Sequence, residues 1–212
     1  MEIMDKFFTK ENANRHRIAV MRGPAAGCSI GSYMMLNKKR KKMKKPLLIF
    51  ATEAEAAQIR ALSADLEIEI CGVGVVECAL SVAEIICREH PKQIVLCGIA
   101  GAYSRQLKVG DVVSVVVENT VSLPAVYRKS YSATIKLPLQ EVVSNTVMAV
   151  GAESAGAEVE NMEGAAIFAL CNRFGVECGQ IRAISNYVDD VREQWDIPTA
   201  LDALTKVIND IY

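Results

Sequence analysis

Pro46-Leu47-Leu48-Ile49-Phe50-Ala51-Thr52-Glu53-Ala54-Glu55-Ala56-Ala57 is the stretch that decides the fold class. Its first six residues form a continuous apolar run, as in a strand covered on both faces of a parallel sheet. Thr52 then offers a helix cap, and two acids follow in the first turn, where exposed N–H groups favour negative charge. An apolar strand passing directly into a capped helix predicts an α/β fold. Ligand sites of such sheets lie beyond the carboxyl ends of the strands, which is where Glu53 and Glu55 fall. One of the two is expected to point inward. The alternative from these residues alone is that both serve only the helix dipole.

Moving outward, residues 66–71 alternate polar and apolar, as in a half-buried strand. Gly72-Val73-Gly74 opens a helix over 75–90, with an expected apolar face at Val76, Leu80, Ala83, Ile86 and Cys87. This Gly-x-Gly lacks the third glycine and the downstream acid of a dinucleotide site, so it predicts a tight turn with close helix packing. Residues 93–97 are another buried strand. Gly98-Ile99-Ala100-Gly101-Ala102 follows and is predicted as a loop with almost no side chains, either a surface for a flat ligand or a tight turn in a crowded interior. Val109-Gly110-Asp111-Val112-Val113 is a turn entering a strand. Residues 119–146 are the least regular part, punctuated by Pro124 and Pro138. Tyr127, Arg128, Lys129 and Tyr131 gather there, as ordinary surface or as contacts to a ligand or partner subunit. Residues 179–185 form an apolar strand interrupted by Arg182, and Asn186 at its end is a site candidate. Asp196 caps a last helix with Pro198 in its first turn, running to about residue 210. The alternation predicts a mainly parallel mixed sheet flanked by helices on both faces, a three-layer sandwich.

The chemistry centres on Val159-Glu160-Asn161-Met162-Glu163-Gly164-Ala165-Ala166-Ile167-Phe168-Ala169-Leu170-Cys171-Asn172. Glu160 and Glu163 frame a polar and small run ahead of a helical apolar series. A carboxylate suits a sugar, because its two oxygens can each accept from one of two vicinal hydroxyls. The alternative is a well-capped core helix whose glutamates serve its N-terminus.

Composition bounds what surrounds this. Of 212 residues, 51% are hydrophobic and 6% aromatic, which suits one globular α/β domain. No apolar run is long enough to span a bilayer. Residues 1–42 carry ten Lys/Arg against three Asp/Glu, about +7, while the rest carries about −8. An acidic body argues against general nucleic-acid binding. The basic segment, ending in Lys38-Lys39-Arg40-Lys41-Lys42, is expected to be a disordered extension or a start-site artefact, with residues 43–212 as the single domain. Seven cysteines without a Cys-x-x-Cys pair predict buried, reduced thiols in a cytoplasmic protein, neither a disulfide scaffold nor a zinc site.

Six of these pieces, in order, resemble the nucleoside phosphorylase/nucleosidase superfamily, and within it the futalosine hydrolases. They are the 51–55 segment, Gly72-Val73-Gly74, the 98–102 segment, the 109–113 segment, the 160–166 segment, and Ile184-Ser185-Asn186 with Trp195-Asp196-Ile197-Pro198. The resemblance implies a nucleosidase that needs no cofactor or metal. Glu163 would hold the ribose hydroxyls and Met162 would pack against the sugar. Glu55 would position and activate the attacking water, Ala100 and Gly101 would lie against the nucleoside, and Asn186 would contact the purine. It also implies a homo-oligomer whose partner is a small purine nucleoside, with no nucleic acid or membrane.

Asn186 stands where adenosine-type members carry Asp. An amide can accept from a protonated N7 and donate to an oxygen at position 6, which fits hypoxanthine and hence futalosine. Phosphorylases need arginines aimed at phosphate; residues 51–57 contain none and none immediately precedes Gly98, which favours hydrolysis. The 118–150 region is short for the family and shows no base-stacking aromatic. Tyr127, Tyr131 or a neighbouring subunit would complete the pocket. Another purine nucleosidase, of the methylthioadenosine/S-adenosylhomocysteine type, and a non-catalytic nucleoside-binding protein are the alternatives.

Overall fold

The computed structural model describes residues 45–212, so the expectations for residues 1–42 fall outside the described residues. The predicted strand-to-helix step is present as β1 (Leu47–Phe50) and α1 (Glu53–Leu62). Thr52 caps α1: its hydroxyl accepts from the Glu55 N–H at 3.2 Å, and Glu55 reaches back to the Thr52 N–H at 3.1 Å. The chain continues through β2 (Ile68–Ile70), α2 (Val75–Glu89), β3 (Gln93–Ala102), β4 (Val112–Thr120), β5 (Ser130–Ser132) and β6 (Gln140–Thr146). It ends with β7 (Val159–Asn161), α3 (Gly164–Phe174), β8 (Glu177–Tyr187) and α4 (Ile197–Ile211). Asp196 caps α4, its carboxylate accepting from the Thr199 N–H at 3.1 Å, and Pro198 lies in the first turn, as expected. No helix of the described residues is long and apolar enough to cross a membrane.

The sandwich expectation holds on one side of the molecule and fails on the other. β2, β1, β3 and β8 pair in parallel. Alternate residues of β1 and β3 face opposite ways, as the pleat requires. Leu47, Ile49, Ile94 and Leu96 pack with α2 and α3 residues such as Val82, Ile86, Ile167 and Phe168. Leu48, Phe50, Val95 and Cys97 pack with α1 and α4 residues such as Ile59, Ala200 and Leu204. Helices therefore cover both faces here. Beyond this the sheet closes on itself. β3 pairs with β8, β8 with β4, β4 with β6, β6 with β7, and β7 with β3, a barrel-like ring of five strands. The β4–β8 and β3–β7 pairings are antiparallel, so the sheet is mixed. Its interior is filled by a third cluster of small and β-branched side chains, including Ala100, Val113, Val115, Val142, Val159 and Ile184. Register shifts at Ala100/Gly101 and at Val115/Val117 let the strands bend far enough to close.

Two local expectations are corrected. Residues 98–102 are not a loop. They continue β3, because their backbone groups pair with β8 and β7. The face of α2 is also rotated from the predicted one. Cys78, Val82, Ile85 and Ile86 are buried, whereas Val76 and Leu80 are each 61% exposed and Cys87 is exposed. Within the irregular 119–146 stretch, β5 and β6 supply regular pairing to β4.

Candidate active site

The carboxyl ends of β1, β3, β7 and β8 surround one cavity of about 580 Å³. All six residues singled out for the site in the sequence line it: Glu55, Ala100, Gly101, Met162, Glu163 and Asn186. The position follows the strand-end rule for α/β sheets.

Glu55, not Glu53, faces inward. Glu53 is on the surface, paired with Arg60 at 3.2 Å. One Glu55 oxygen takes the Thr52 N–H and hydroxyl, at 3.1 and 3.0 Å, and the other takes the Ile99 N–H at 3.2 Å. The same side chain thus completes the cap of α1 and points its second oxygen across β3.

Glu163 stands at the N-cap position of α3 but makes no cap hydrogen bond with its side chain. The first-turn N–H groups are served by others. The Asn161 side-chain oxygen accepts from the Glu163 and Gly164 N–H groups at 2.9 and 2.7 Å, and the Thr146 hydroxyl accepts from the Ala165 N–H at 2.8 Å. The helix is well capped, but not by its glutamates. This releases the Glu163 carboxylate, which accepts from the Gly74 N–H at 2.9 Å and pairs with Arg182 at 3.3 Å. Gly72-Val73-Gly74 is therefore the tight turn expected, with φ of +82° and +87° at its glycines, and it presents a backbone donor to the site. Glu160, three residues earlier, lines the cavity as well. It is tied to the Tyr103 hydroxyl and the Gly151 N–H, both at 2.9 Å.

Arg182 is the main residue the sequence reading left out. It interrupts an apolar strand, which was visible, but the reason is not local. Its side chain is fully buried and lines the cavity. It donates to the Ile99 carbonyl at 3.1 Å, to the Asn161 oxygen at 2.9 Å and to Glu163. Gly98, its β3 partner, has no room for a side chain: a Cβ there would lie 2.7 Å from Arg182 Nη1 and 2.8 Å from Glu55 Oε1. A Cβ on Gly101 would lie 3.1 Å from the Asn186 amide nitrogen. The small residues of β3 are thus a groove for the charged and polar side chains of its neighbours.

Asn186 is buried at the end of β8. Its oxygen accepts from the Ser185 hydroxyl at 2.8 Å, and its NH₂ donates to the Tyr187 carbonyl at 2.8 Å. One acceptor lone pair and one N–H remain for a second partner. Trp195 and Arg192 also line the cavity, with the guanidinium 4.1 Å from the ring centroid. Neither was assigned a role from sequence. Tyr127 and Tyr131, offered as aromatics to complete the pocket, do not line it. Tyr127 is exposed, and Tyr131 packs against the core on the α2–α3 side. Among the described residues, no group of three or more His, Cys, Asp or Glu is placed to hold a metal ion.

The phosphorylase superfamily profile matches residues 66–121 and 139–211. No protein of curated function matches the sequence. Solved structures do match. A futalosine hydrolase of Helicobacter pylori strain 26695 is 17% identical with a TM-score of 0.70, covering 80% of this chain and 97% of its own. A 5'-methylthioadenosine/S-adenosylhomocysteine nucleosidase of the same species is 17% identical with a TM-score of 0.71, covering 81% and 98%. The corresponding nucleosidase of Neisseria meningitidis is 17% identical with a TM-score of 0.68, covering 78% and 96%. The chain is similar to each in fold.

Proposed function

The chain belongs to the phosphorylase superfamily, and from that premise we propose that it is a nucleosidase, hydrolysing the N-glycosidic bond of a purine nucleoside, with futalosine as the substrate and hypoxanthine as the base released. The observation that carries this is the meeting of Glu55, Glu163 and Asn186 in one cavity of about 580 Å³. Cleavage moves the bonding electron pair from the sugar carbon onto the base, so positive charge grows on the sugar and negative charge on the base. Glu163 supplies a fixed carboxylate for the ribose hydroxyls, with Met162 beside it. Asn186, which has no acidic proton to give, retains an acceptor for a ring nitrogen protonated from solvent and a donor for a 6-oxo group. Water adds to the sugar carbon and gives up a proton to Glu55.

Hydrolysis is favoured over phosphorolysis by charge. Glu55, Glu160 and Glu163 surround the cavity. Of the two arginines among the described lining residues, buried Arg182 is already engaged by Asn161, Glu163 and the Ile99 carbonyl, and exposed Arg192 lies over the Trp195 ring. An incoming phosphate dianion would face three carboxylates. A methylthioadenosine or S-adenosylhomocysteine nucleosidase is the second reading, supported by the equal likeness in fold to such enzymes.

The test is base release from futalosine, inosine and methylthioadenosine, each with and without phosphate. Phosphate-independent release of hypoxanthine from futalosine is expected. Release that requires phosphate would overturn hydrolysis, adenine release from methylthioadenosine would replace the substrate, and no release at all would leave a nucleoside-binding protein.

A further inference from the structure

Behind the cavity, under the head of α3, lies an acid that this chemistry does not use. Glu118, on β4, is fully buried. Burial raises its carboxyl pKa above the usual carboxylate range, and the Thr146, Asn161 and Gln180 hydrogen bonds and the charge of Arg182 offset only part of that rise. Those donors come from three other strands. The Thr146 hydroxyl donates to Oε2 at 2.7 Å, Gln180 Nε2 donates to Oε1 at 2.9 Å, and the Asn161 NH₂ donates to Oε1 as well.

Asn161 is the link to the cavity. Its NH₂ faces Glu118 and the Ser144 hydroxyl, the latter at 2.8 Å. Its oxygen faces the Glu163 and Gly164 N–H groups and Arg182. The two ends of an amide are chemically opposite, so an acceptor beneath the NH₂ fixes the oxygen above. Thr146 is polarised in the same sense. Its hydroxyl proton goes to Glu118, which leaves a lone pair for the Ala165 N–H. Both chains of hydrogen bonds start at Glu118 and end at the head of α3.

Gly164 is an independent sign of this fit. It is the first residue of α3, and a Cβ there would overlap Glu118 Oε1 and Cδ and lie 2.8 Å from Gln180 Oε1. Its φ is not positive, so space and not backbone conformation requires glycine.

We propose that Glu118 is a positioning residue of the site: as a buried acceptor it fixes the Asn161 amide, and through Asn161 it holds Arg182 and Glu163 in the geometry that receives the sugar. The catalytic part of this rests on the ribose-binding role proposed for Glu163. Glu118→Gln keeps the size and replaces one acceptor by a donor. At the Oε1 position that NH₂ confronts the Asn161 and Gln180 donors, and the Asn161 amide gains a reason to turn; at the Oε2 position it meets only the Thr146 hydroxyl. Turned, its NH₂ would face two backbone N–H groups and a guanidinium.

The experiment compares Glu118→Gln, Glu118→Asp and the parent protein by crystal structure and by nucleoside hydrolysis. In Glu118→Gln the Asn161 amide is expected to turn and the Arg182–Glu163 contact to open. The variant's kcat/KM should fall about 100-fold, the scale of a small misplacement in a site, while the circular dichroism spectrum is kept. Glu118→Asp, still an acceptor, should retain more activity than Glu118→Gln although it leaves a gap. A purely structural role predicts the reverse order for the two variants, or a lowered Tm with kcat and KM unchanged. Either of those, or an unmoved Asn161 and Arg182, overturns the proposal. If the parent protein hydrolyses no nucleoside, the hydrolase reading fails, and the position of Asn161 and Arg182 in the Glu118→Gln structure alone decides the role of Glu118. If Glu118→Gln does not fold, Gly164→Ala displaces the same carboxylate from the other side and is read in the same way.

Discussion

Two carboxylates reach the cavity by opposite routes. Glu55 is held largely by its own turn, with Thr52, three residues back, supplying two of its three donors. Glu163 is held by Gly74, 89 residues away, and by Arg182, 19 residues away across α3 and the start of β8. The first arrangement forms as soon as α1 does. The second exists only when β7, β8 and the turn before α2 have come together. A local device can be changed with local consequences, whereas a long-range one couples the site to the stability of the fold.

The sharpest way to break this comparison is to remove each acid in turn. Glu55→Gln keeps the shape of the cap and one accepting oxygen. It is expected to abolish hydrolysis while nucleoside binding survives. Glu163→Ala removes the sugar's partner and the counter-charge of Arg182, so binding and turnover should both be lost. Calorimetric titration beside single-turnover kinetics checks the pair. Near-normal turnover in Glu55→Gln would remove its role in activating water, and unchanged affinity in Glu163→Ala would remove the ribose assignment.

The same contrast separates what was legible in the sequence from what was not. Thr52, the Asp196 cap and the strand-to-helix alternation are features of neighbouring residues, and they were readable from type and spacing. So was the pairing of Glu53 and Glu55 as alternatives, since both stand in one helical turn, but the choice of Glu55 came from the resemblance. The path of β3 through Gly98–Ala102 was not readable. Small residues without alternation look like a turn, and their reason is the bulk of Arg182, Glu55 and Asn186 arriving from elsewhere. Closure of the ring rests on pairings such as Val113 with Arg182 and Val142 with Val115, which no local pattern encodes. Glu118 sits in a strand whose other buried residues are mostly apolar. Its one local signal was an acid following the valine run 115–117, and that signal means nothing until Gly164 and Asn161 are known to lie against it. The set of lining residues was found because the resemblance carried it, not because periodicity did.

Arg182→Leu tests the long-range side of the comparison next. It leaves Glu163 buried without its cation and strips partners from the Asn161 oxygen and the Ile99 carbonyl. Removing one member of a buried, hydrogen-bonded ion pair costs about 3–5 kcal/mol. Urea denaturation should show a loss of that size together with loss of hydrolysis. A loss below about 1 kcal/mol, the scale of an exposed pair, would mean that the fold does not depend on this network, and the contrast between the two acids would lose its energetic basis.

Thr52→Ala is the smallest change, and it sharpens the local side. The methyl group cannot accept from the Glu55 N–H or donate to the Glu55 carboxylate, so half of the reciprocal cap is lost. Loss of a threonine cap costs about 1 kcal/mol. The Thr52 backbone N–H and the Ile99 N–H still hold both Glu55 oxygens, at 3.1 and 3.2 Å. The carboxylate should therefore stay in place. The expected result is a modest drop in the urea midpoint, an unchanged KM and a kcat lowered only a fewfold. If kcat instead collapses as far as in Glu55→Gln, the threonine hydroxyl is itself part of the reaction, and Glu55 is not the self-contained local device that its hydrogen bonds describe.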